Sequence, residues 1–222
     1  TGSSKADDIG SSITGRWHDA SGLNSIIAYR KKSPSGGGIR SVSFVMNARL
    51  FQDQFSVSRE TMQKIVIYEA LLRKWQAKIN LVGPATLDAF WSRHAADSLQ
   101  LLKLAGNKPG NWLDLGSGAG FPGLILALAG PQTTHCYLVE SDSRKAAFLS
   151  AVIRETKAPA TVLNQRIEAV NGDALPKIDF ITARALAPLP KLLSLSARFF
   201  DSSTIALFPK GENWQQELTQ AR

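Results

Sequence analysis

Apolar positions follow two different rhythms along this chain, and the change between them divides it. From Ser58 onward Met62, Ile65, Tyr68, Leu72, Trp75 and Ile79 recur every three or four positions, which makes one apolar helix stripe facing a core. Ser58 is suited to cap that helix and Glu60 to sit at the positive end of its dipole. A second helix is predicted from a Thr86 cap, after Gly83-Pro84, through Phe90, Trp91, His94, Ser98 and Leu101 to about Leu104, with residues 106–110 ending it. The rhythm then changes. Short apolar runs near 112–115, 135–140, 161–164, 179–183 and 204–208 read as strands. They alternate with helical patterns at about 122–129, 143–156 and 188–199, and a short helix is expected after Gln165. Such alternation predicts an α/β fold: βαβ units, a mainly parallel sheet with helices on both faces, and every strand's C-terminal end on one edge. Ligands of such sheets bind at that edge, near the switch in strand order.

Residues 1–47 show neither rhythm. They are rich in Ser and Gly and carry Arg30-Lys31-Lys32-Ser33-Pro34-Ser35-Gly36-Gly37-Gly38, so they read as a mostly disordered or atypical N-terminal extension. The expected organisation is therefore an extension over 1–47, a helical cap over 48–106 and an α/β core over 107–222.

Composition narrows the class. The 222 residues are 44% hydrophobic, enough for one sizeable packed domain with an appendage. The longest apolar run, near 124–129, is far short of a bilayer span, so no membrane partner is expected. The first residues lack the basic, apolar and small-residue order of a secretory signal, and Cys136 is the single cysteine, so a cytoplasmic location without disulfides is expected. Cys136 lies in the apolar run 136–139 and reads as a core thiol. With three His and no cysteine cluster, a metal site is not expected. The formal charge is +8 and the isoelectric point near 9.8, which fits an anionic partner such as nucleic acid. Six basic and three acidic residues lie in the first 47, so +3 of that charge sits there and +5 in the remainder.

The candidate chemistry centres on Trp112-Leu113-Asp114-Leu115-Gly116-Ser117-Gly118-Ala119-Gly120-Phe121-Pro122-Gly123, a buried strand running into a glycine loop and a helix. Gly116, Gly118 and Gly120 at alternate positions permit a tight turn and close approach of backbone to ligand. Glu140, at the end of the next strand and twenty positions after Gly120, is placed to reach the two hydroxyls of a ribose lying over the loop. These features alone leave open a dinucleotide or S-adenosylmethionine. Asp114 tips the reading toward the second, because its carboxylate would oppose a pyrophosphate but favour, directly or through water, the ammonium of an amino-acid arm. After the third strand, Ile167 is expected to pack on an adenine, and Glu168 either to contact the cofactor or to sit at a helix start. Arg184, at a strand end, is expected to be functional. His94 and Asp97, three apart on a helix with Ser98 a turn from His94, either orient the cap over the cofactor or touch substrate.

Taken together, Trp75 with Ile79-Asn80-Leu81-Val82, Arg93-His94-Ala95-Ala96-Asp97-Ser98, the Asp114 to Gly123 loop, Glu140-Ser141, Arg166-Ile167-Glu168, Thr182-Ala183-Arg184-Ala185 and Lys210-Gly211 resemble the bacterial small-subunit ribosomal RNA guanine-N7 methyltransferase family, glucose-inhibited division protein B. The likeness spans about residues 55–215. It implies a class I methyltransferase with a Rossmann-like sheet and an N-terminal helical cap, using S-adenosylmethionine to methylate a guanine of 16S ribosomal RNA near the decoding region, free or in the small ribosomal subunit. It implies cofactor contacts at Gly116, Phe121, Ile167, Glu168 and Arg184. The family continues past Lys210-Gly211, so closing C-terminal strands are expected to be missing, and no family element resembles residues 1–47.

Methylation at N7 removes no proton beforehand, so no general base is expected; His94, Asp97 and Arg184 are positioning candidates. Arg93, Arg144, Lys145, Arg166 and Lys210 are candidates for contacts to RNA phosphates, and a monomer is expected. Two other classes compete. A nicotinamide-dependent oxidoreductase is opposed by Asp114 and by the lack of a separate substrate domain, and a non-catalytic RNA-binding α/β module would leave Asp114, Glu140 and the glycine loop unexplained.

Overall fold

The computed structural model describes residues 13–18, 25–30, 46–211 and 213–221. Its centre is a sheet of seven strands: β1 (Ile13–His18), β2 (Ser25–Arg30), β3 (Asn111–Leu115), β4 (His135–Val139), β5 (Ala160–Leu163), β6 (Phe180–Thr182) and β7 (Ile205–Lys210), in the spatial order β1-β2-β7-β6-β3-β4-β5. Neighbours from β7 to β5 pair parallel, as the alternation of strands and helices predicts. β3 lies between β4 and β6, so the chain leaves it in one direction and returns on the other side; the loop following β3 therefore occupies the switch point where such sheets open a crevice.

The N-terminal segment departs from expectation. Within residues 1–47, read as mostly disordered, two strands extend the sheet, β2 pairing parallel with β7 and β1 antiparallel with β2. The run Ser25-Ile26-Ile27-Ala28-Tyr29-Arg30 has strand-forming residues, but its polar, glycine-rich flanks hide it from a composition reading.

Strand periodicity separates two cores. On β3, Trp112 joins one buried cluster while Leu113 and Leu115 join another; on β4, Cys136 and Leu138 take the first face and Val139 the second. The first face is covered by the cap and by α5 (Gly123–Ala129) and α6 (Ser143–Thr156), the second by α7 (Leu189–Ser196). Residues 123–128 of α5 are all buried, the pattern of a helix apolar on every side. α6 is capped by Asp142, whose carboxylate accepts from the Arg144 guanidinium and also from the backbone of Arg144 and Lys145, which lowers its pKa to about 2. The cap consists of α1 (Ala48–Phe55), α2 (Arg59–Gln76), α3 (Pro84–Leu87) and α4 (Ala96–Leu104). α2 buries Met62, Ile65, Tyr68 and Leu72, and the Ser58 hydroxyl accepts from the Thr61 N–H at 3.1 Å.

The second predicted helix is interrupted. A four-residue helical turn at α3 gives way to a π-helical turn over Phe90–Ala95, which runs into α4. The wider turn admits an extra residue in the helix, a feature that accompanies functional sites, and here it carries Arg93 and His94. Gly106, with φ of +70°, ends α4 as expected.

Candidate functional site

The glycine loop owes its path to backbone dihedrals open mainly to glycine. Gly116, Gly118 and Gly120 have φ of +68°, +55° and +92°. Their surroundings differ. A Cβ on Gly120 would lie 2.4 Å from Leu124 Cδ1 and 2.9 Å from Tyr68 Oη, so that residue packs inward, whereas on Gly118 it would meet only the Gly116 carbonyl, at 3.9 Å. Gly118 therefore faces open space, and that space is a cavity of about 560 Å³ at the C-terminal edge of the sheet.

From the core, the glycine loop, the end of β4, the turn at 165–168, the loop at 184–186, Lys145 of α6 and Leu195 of α7 surround the cavity; residues 81–83, Thr86 and His94 come from the cap. Gly116, Gly118, Phe121, Glu140, Ile167, Glu168 and Arg184, all expected at a cofactor, line this single cavity. The Glu140 carboxylate accepts from the Gly118 N–H and the Asp142 N–H, each at 2.8 Å, while the Asn164 amide donates to the Glu140 carbonyl at 2.8 Å. A carboxylate so anchored keeps lone pairs for vicinal hydroxyls. Arg166 and Glu168 are exposed at the rim and Ile167 is buried beneath them in a 3₁₀ turn. The Arg198 guanidinium holds that turn from outside, donating to the carbonyls of Ile167 and Glu168.

Asp114 and Gly120 do not line the cavity. Strand alternation puts Asp114 on the face of Trp112, under the start of α5, where it is 0% exposed and accepts from the Gly123 N–H at 3.3 Å. Asp114, expected to favour an ammonium directly or through water, thus lies beneath the loop and outside the cavity lining. Burial raises its pKa to about 7, against the lowering effects of Ser117, the Gly123 N–H and the Arg184 charge.

An aromatic and cationic stack forms the next wall. The His94 imidazole lies nearly flat on Phe121, centroids 4.5 Å apart at 16°, and Tyr68 stacks on the same ring at 5.2 Å and 27°. The Arg184 guanidinium sits 5.2 Å from the Phe121 centroid, with its Nη2 2.7 Å from His94 Nδ1, and donates to the Arg93 carbonyl at 3.2 Å. A guanidinium has no acceptor, so His94 Nδ1 accepts and the imidazole carries its proton on Nε2. The Ser98 hydroxyl donates to the His94 carbonyl at 2.6 Å, not to its ring. His94 and Arg184 thereby tie the cap to the loop after β6.

A second cavity, about 540 Å³, adjoins the first and shares Thr86, His94, Arg184, Ala185 and Leu186 with it. Arg93, Asp97 and Glu217 give it a polar side; Leu101 and Pro122, together with Pro188 and Pro209, give it an apolar one. Among the basic candidates, Arg93 is exposed at this cavity, and Lys145 and Arg166 stand at the first. Arg144 lines neither; its exposed guanidinium pairs with Asp142 at 3.2 Å. Lys210 is committed inside the wall of the second cavity. Its side chain is 9% exposed, its ammonium lies 2.7 Å from Glu217 and it donates to the Ala187 carbonyl at 2.9 Å.

Sequence reading missed Tyr68 and Gln76, which sit in the α2 pattern as ordinary stripe and surface positions. Tyr68 is buried and its hydroxyl donates to the Ala119 carbonyl in the glycine loop; burial raises its pKa well above the ordinary tyrosine value. A tyrosine fully inside an apolar stripe is the available signal, since a buried phenol needs a partner. Cys136 is buried with its pKa likewise raised, as a core thiol. Among the described residues no helix is long and apolar enough to cross a membrane, and no group of three His, Cys, Asp or Glu is placed to hold a metal ion.

Known proteins share this sequence over most of its length. The profile of the family GidB, rRNA small subunit methyltransferase G, matches residues 61–222. The ribosomal RNA small subunit methyltransferase G of Rhodospirillum centenum is 54% identical over 172 residues, covering 78% of this chain and 77% of that protein. Its counterpart in Methylorubrum populi is 55% identical over 170 residues, covering 76% and 80%. That of Methylorubrum extorquens is 55% identical over 167 residues, covering 74% and 78%.

Proposed function

The chain belongs to the rRNA small subunit methyltransferase G (GidB) family, and from that premise we infer how its two cavities divide the reaction. It is an S-adenosylmethionine-dependent enzyme that methylates N7 of a guanine in 16S ribosomal RNA. The first cavity takes the methyl donor and the second takes the target base. The carrying observation is the shared wall: His94 and Arg184, with Thr86, Ala185 and Leu186, line both of two adjoining spaces of cofactor and nucleotide size, within the roughly 300–1,000 Å³ usual for small-molecule sites.

The residues present fit the donor. The open face of Gly118 lets the backbone approach it, Glu140 meets the ribose hydroxyls, and Ile167 packs on the adenine with Gln165 and Glu168 near its edge. Arg184 reaches the carboxylate of the amino-acid arm from the partition, and Asp114 supports the loop from below. When bound, S-adenosylmethionine supplies a methyl group on a positively charged sulfur.

The guanine enters the second cavity unstacked, as a base must for chemistry on its ring. Its N7 lone pair forms the new N–C bond as the C–S bond breaks; the sulfur keeps that electron pair and the purine takes the positive charge. No proton leaves N7, so the protein supplies alignment and exclusion of water. His94 suits this task because its neutral imidazole, held by Arg184, adds no charge against the cation forming on the base. Arg93, Arg144, Lys145 and Arg166 contact flanking phosphates, and the target lies near the decoding region of the small subunit. One chain holds both cavities and acts as a monomer, in the cytoplasm with the ribosome and without a metal.

Incubating the chain with labelled S-adenosylmethionine and either naked 16S RNA or small subunits lacking the modification tests this reading. Label at a single guanine, mapped by the strand scission that follows reduction of 7-methylguanosine, is expected. Label absent from both substrates, or placed on another base atom, would refute it.

A further inference from the structure

The segment Ile79-Asn80-Leu81-Val82 belongs to the family likeness, yet the division of labour above gives it no task. It leaves α2 as a strap without regular structure, and residues 81–83 form part of the wall of the first cavity. Such a strap has backbone groups that need partners. One side chain supplies three of them. The Gln76 Oε1 atom accepts from the N–H groups of Leu81 and Val82, both at 3.0 Å, and its Nε2 donates to the Val82 carbonyl at 2.9 Å. Gln76 is the last residue of α2. Eight positions earlier, just over two turns and on the same side of the helix, Tyr68 donates to the Ala119 carbonyl of the glycine loop. One helix thus holds two separate walls of the same cavity by side-chain to backbone hydrogen bonds.

We propose that Gln76 is a positioning residue for the cofactor: through the 81–83 strap it fixes one wall of the donor cavity, while Tyr68 fixes another, so α2 sets the distance between them. This rests on the first cavity being the methyl-donor site. The strap continues through Gly83 into α3, whose Thr86 lines both cavities, so its position also bears on the partition between donor and base. Leu81 is buried in the first core, with Ile79 and Val82 packed against it, so a loosened strap is expected to cost some stability as well as cofactor affinity, and the unfolding midpoint and the affinity read the two separately.

The test is calorimetric titration of S-adenosylhomocysteine into the full chain, comparing wild type with Gln76→Met and Gln76→Glu. Methionine keeps the length and helix preference but removes every hydrogen bond; glutamate keeps the acceptor for the two N–H groups. The methionine variant is expected to bind about tenfold more weakly, about 1.4 kcal/mol, with its unfolding midpoint lowered by only a few degrees. Glutamate is expected to remain within about threefold of wild type, since it keeps the acceptor half of the clamp. In turnover, KM for S-adenosylmethionine should rise in the methionine variant while kcat changes by less than about twofold, as loss of uniform binding requires. Should Gln76→Met not fold, Gln76→Asn, one methylene too short to reach the strap, supplies the same comparison. Wild-type affinity in a folded Gln76→Met or Gln76→Asn would overturn the proposal, as would glutamate binding as poorly as methionine. A wild-type chain that does not bind S-adenosylhomocysteine removes the donor-site reading and this inference with it.

Discussion

The two cavities share a wall and are built in opposite ways. The first is a product of strand ends: the loop after β3, Glu140 beyond β4 and the turn after β5 lie side by side because parallel pairing puts every C-terminal end on one edge. Its lining includes the glycine loop, and a polar group of it is held by backbone, as the Glu140 carboxylate is by two N–H groups. The second cavity is assembled from α3, the π-helical turn, α4, the loop after β6, the end of β7 and α8 (Trp214–Gln220), and its polar side combines charged side chains with Thr86, His94 and Ser98. On the proposed division, the cofactor meets groups set by strand ends, whereas the RNA base meets side chains brought by the cap, the loop after β6 and α8.

That contrast breaks most sharply at Glu140. On the proposed reading, replacing it with alanine removes charge-assisted bonds to the ribose, each worth about 1.5–3 kcal/mol, so S-adenosylhomocysteine affinity should fall by about 100-fold while RNA affinity, read by filter binding, stays within about threefold. A parallel loss of RNA binding would show that the two cavities are not separate. Arg184 stands in the shared wall and should be the exception that weakens both. For Arg184→Ala, kcat/KM is expected to drop by about 30-fold, and Arg184→Lys should recover little because a lysine cannot bridge His94 Nδ1 and the Arg93 carbonyl together.

Smaller effects sharpen the division. Arg93→Ala should weaken RNA binding about threefold to tenfold, reduce the salt slope by about one and leave S-adenosylhomocysteine affinity unchanged. Asp114 gives the smallest effect and the only one in pH. Its folded pKa, about 7, lies above the unfolded value, so the folded state binds the extra proton between about pH 4 and 7. Stability from this group is full below the unfolded pKa and is lost as pH rises through about 7. Asp114→Asn should flatten that slope and raise unfolding free energy at pH 8 by about 1 kcal/mol or more, measured by urea titration at pH 5.5 and 8.

The same contrast governs how much of the molecule was legible in its sequence. The parallel strands, the glycine loop and the placement of Gly116, Gly118, Glu140 and Ile167 around one space follow from local periodicity and spacing, because strand ends need no distant partner to be found; Phe121 was legible only through the family resemblance. Asp114 was legible as a buried carboxylate beside the loop but not as one beneath it; only strand alternation against the start of α5 decides which face it takes. α1 went unassigned because eight residues with Phe51 alone fully buried make too short a stripe. The break at Phe90–Ala95 was hidden because a π turn leaves the apolar spacing nearly helical. Tyr68 and Gln76 act through hydrogen bonds to backbone far along the chain or across a strap, and no periodicity encodes such a partner. Lys210 looked like a surface cation, and only the packing of α8 commits it to Glu217.

The most direct test of the account is calorimetric titration of the wild-type chain with S-adenosylhomocysteine and, in parallel, with NAD. Micromolar binding of the first and none of the second is the predicted result, with one site per chain. Binding of NAD, or of neither ligand by a folded chain, would contradict the assignment of the first cavity to the methyl donor.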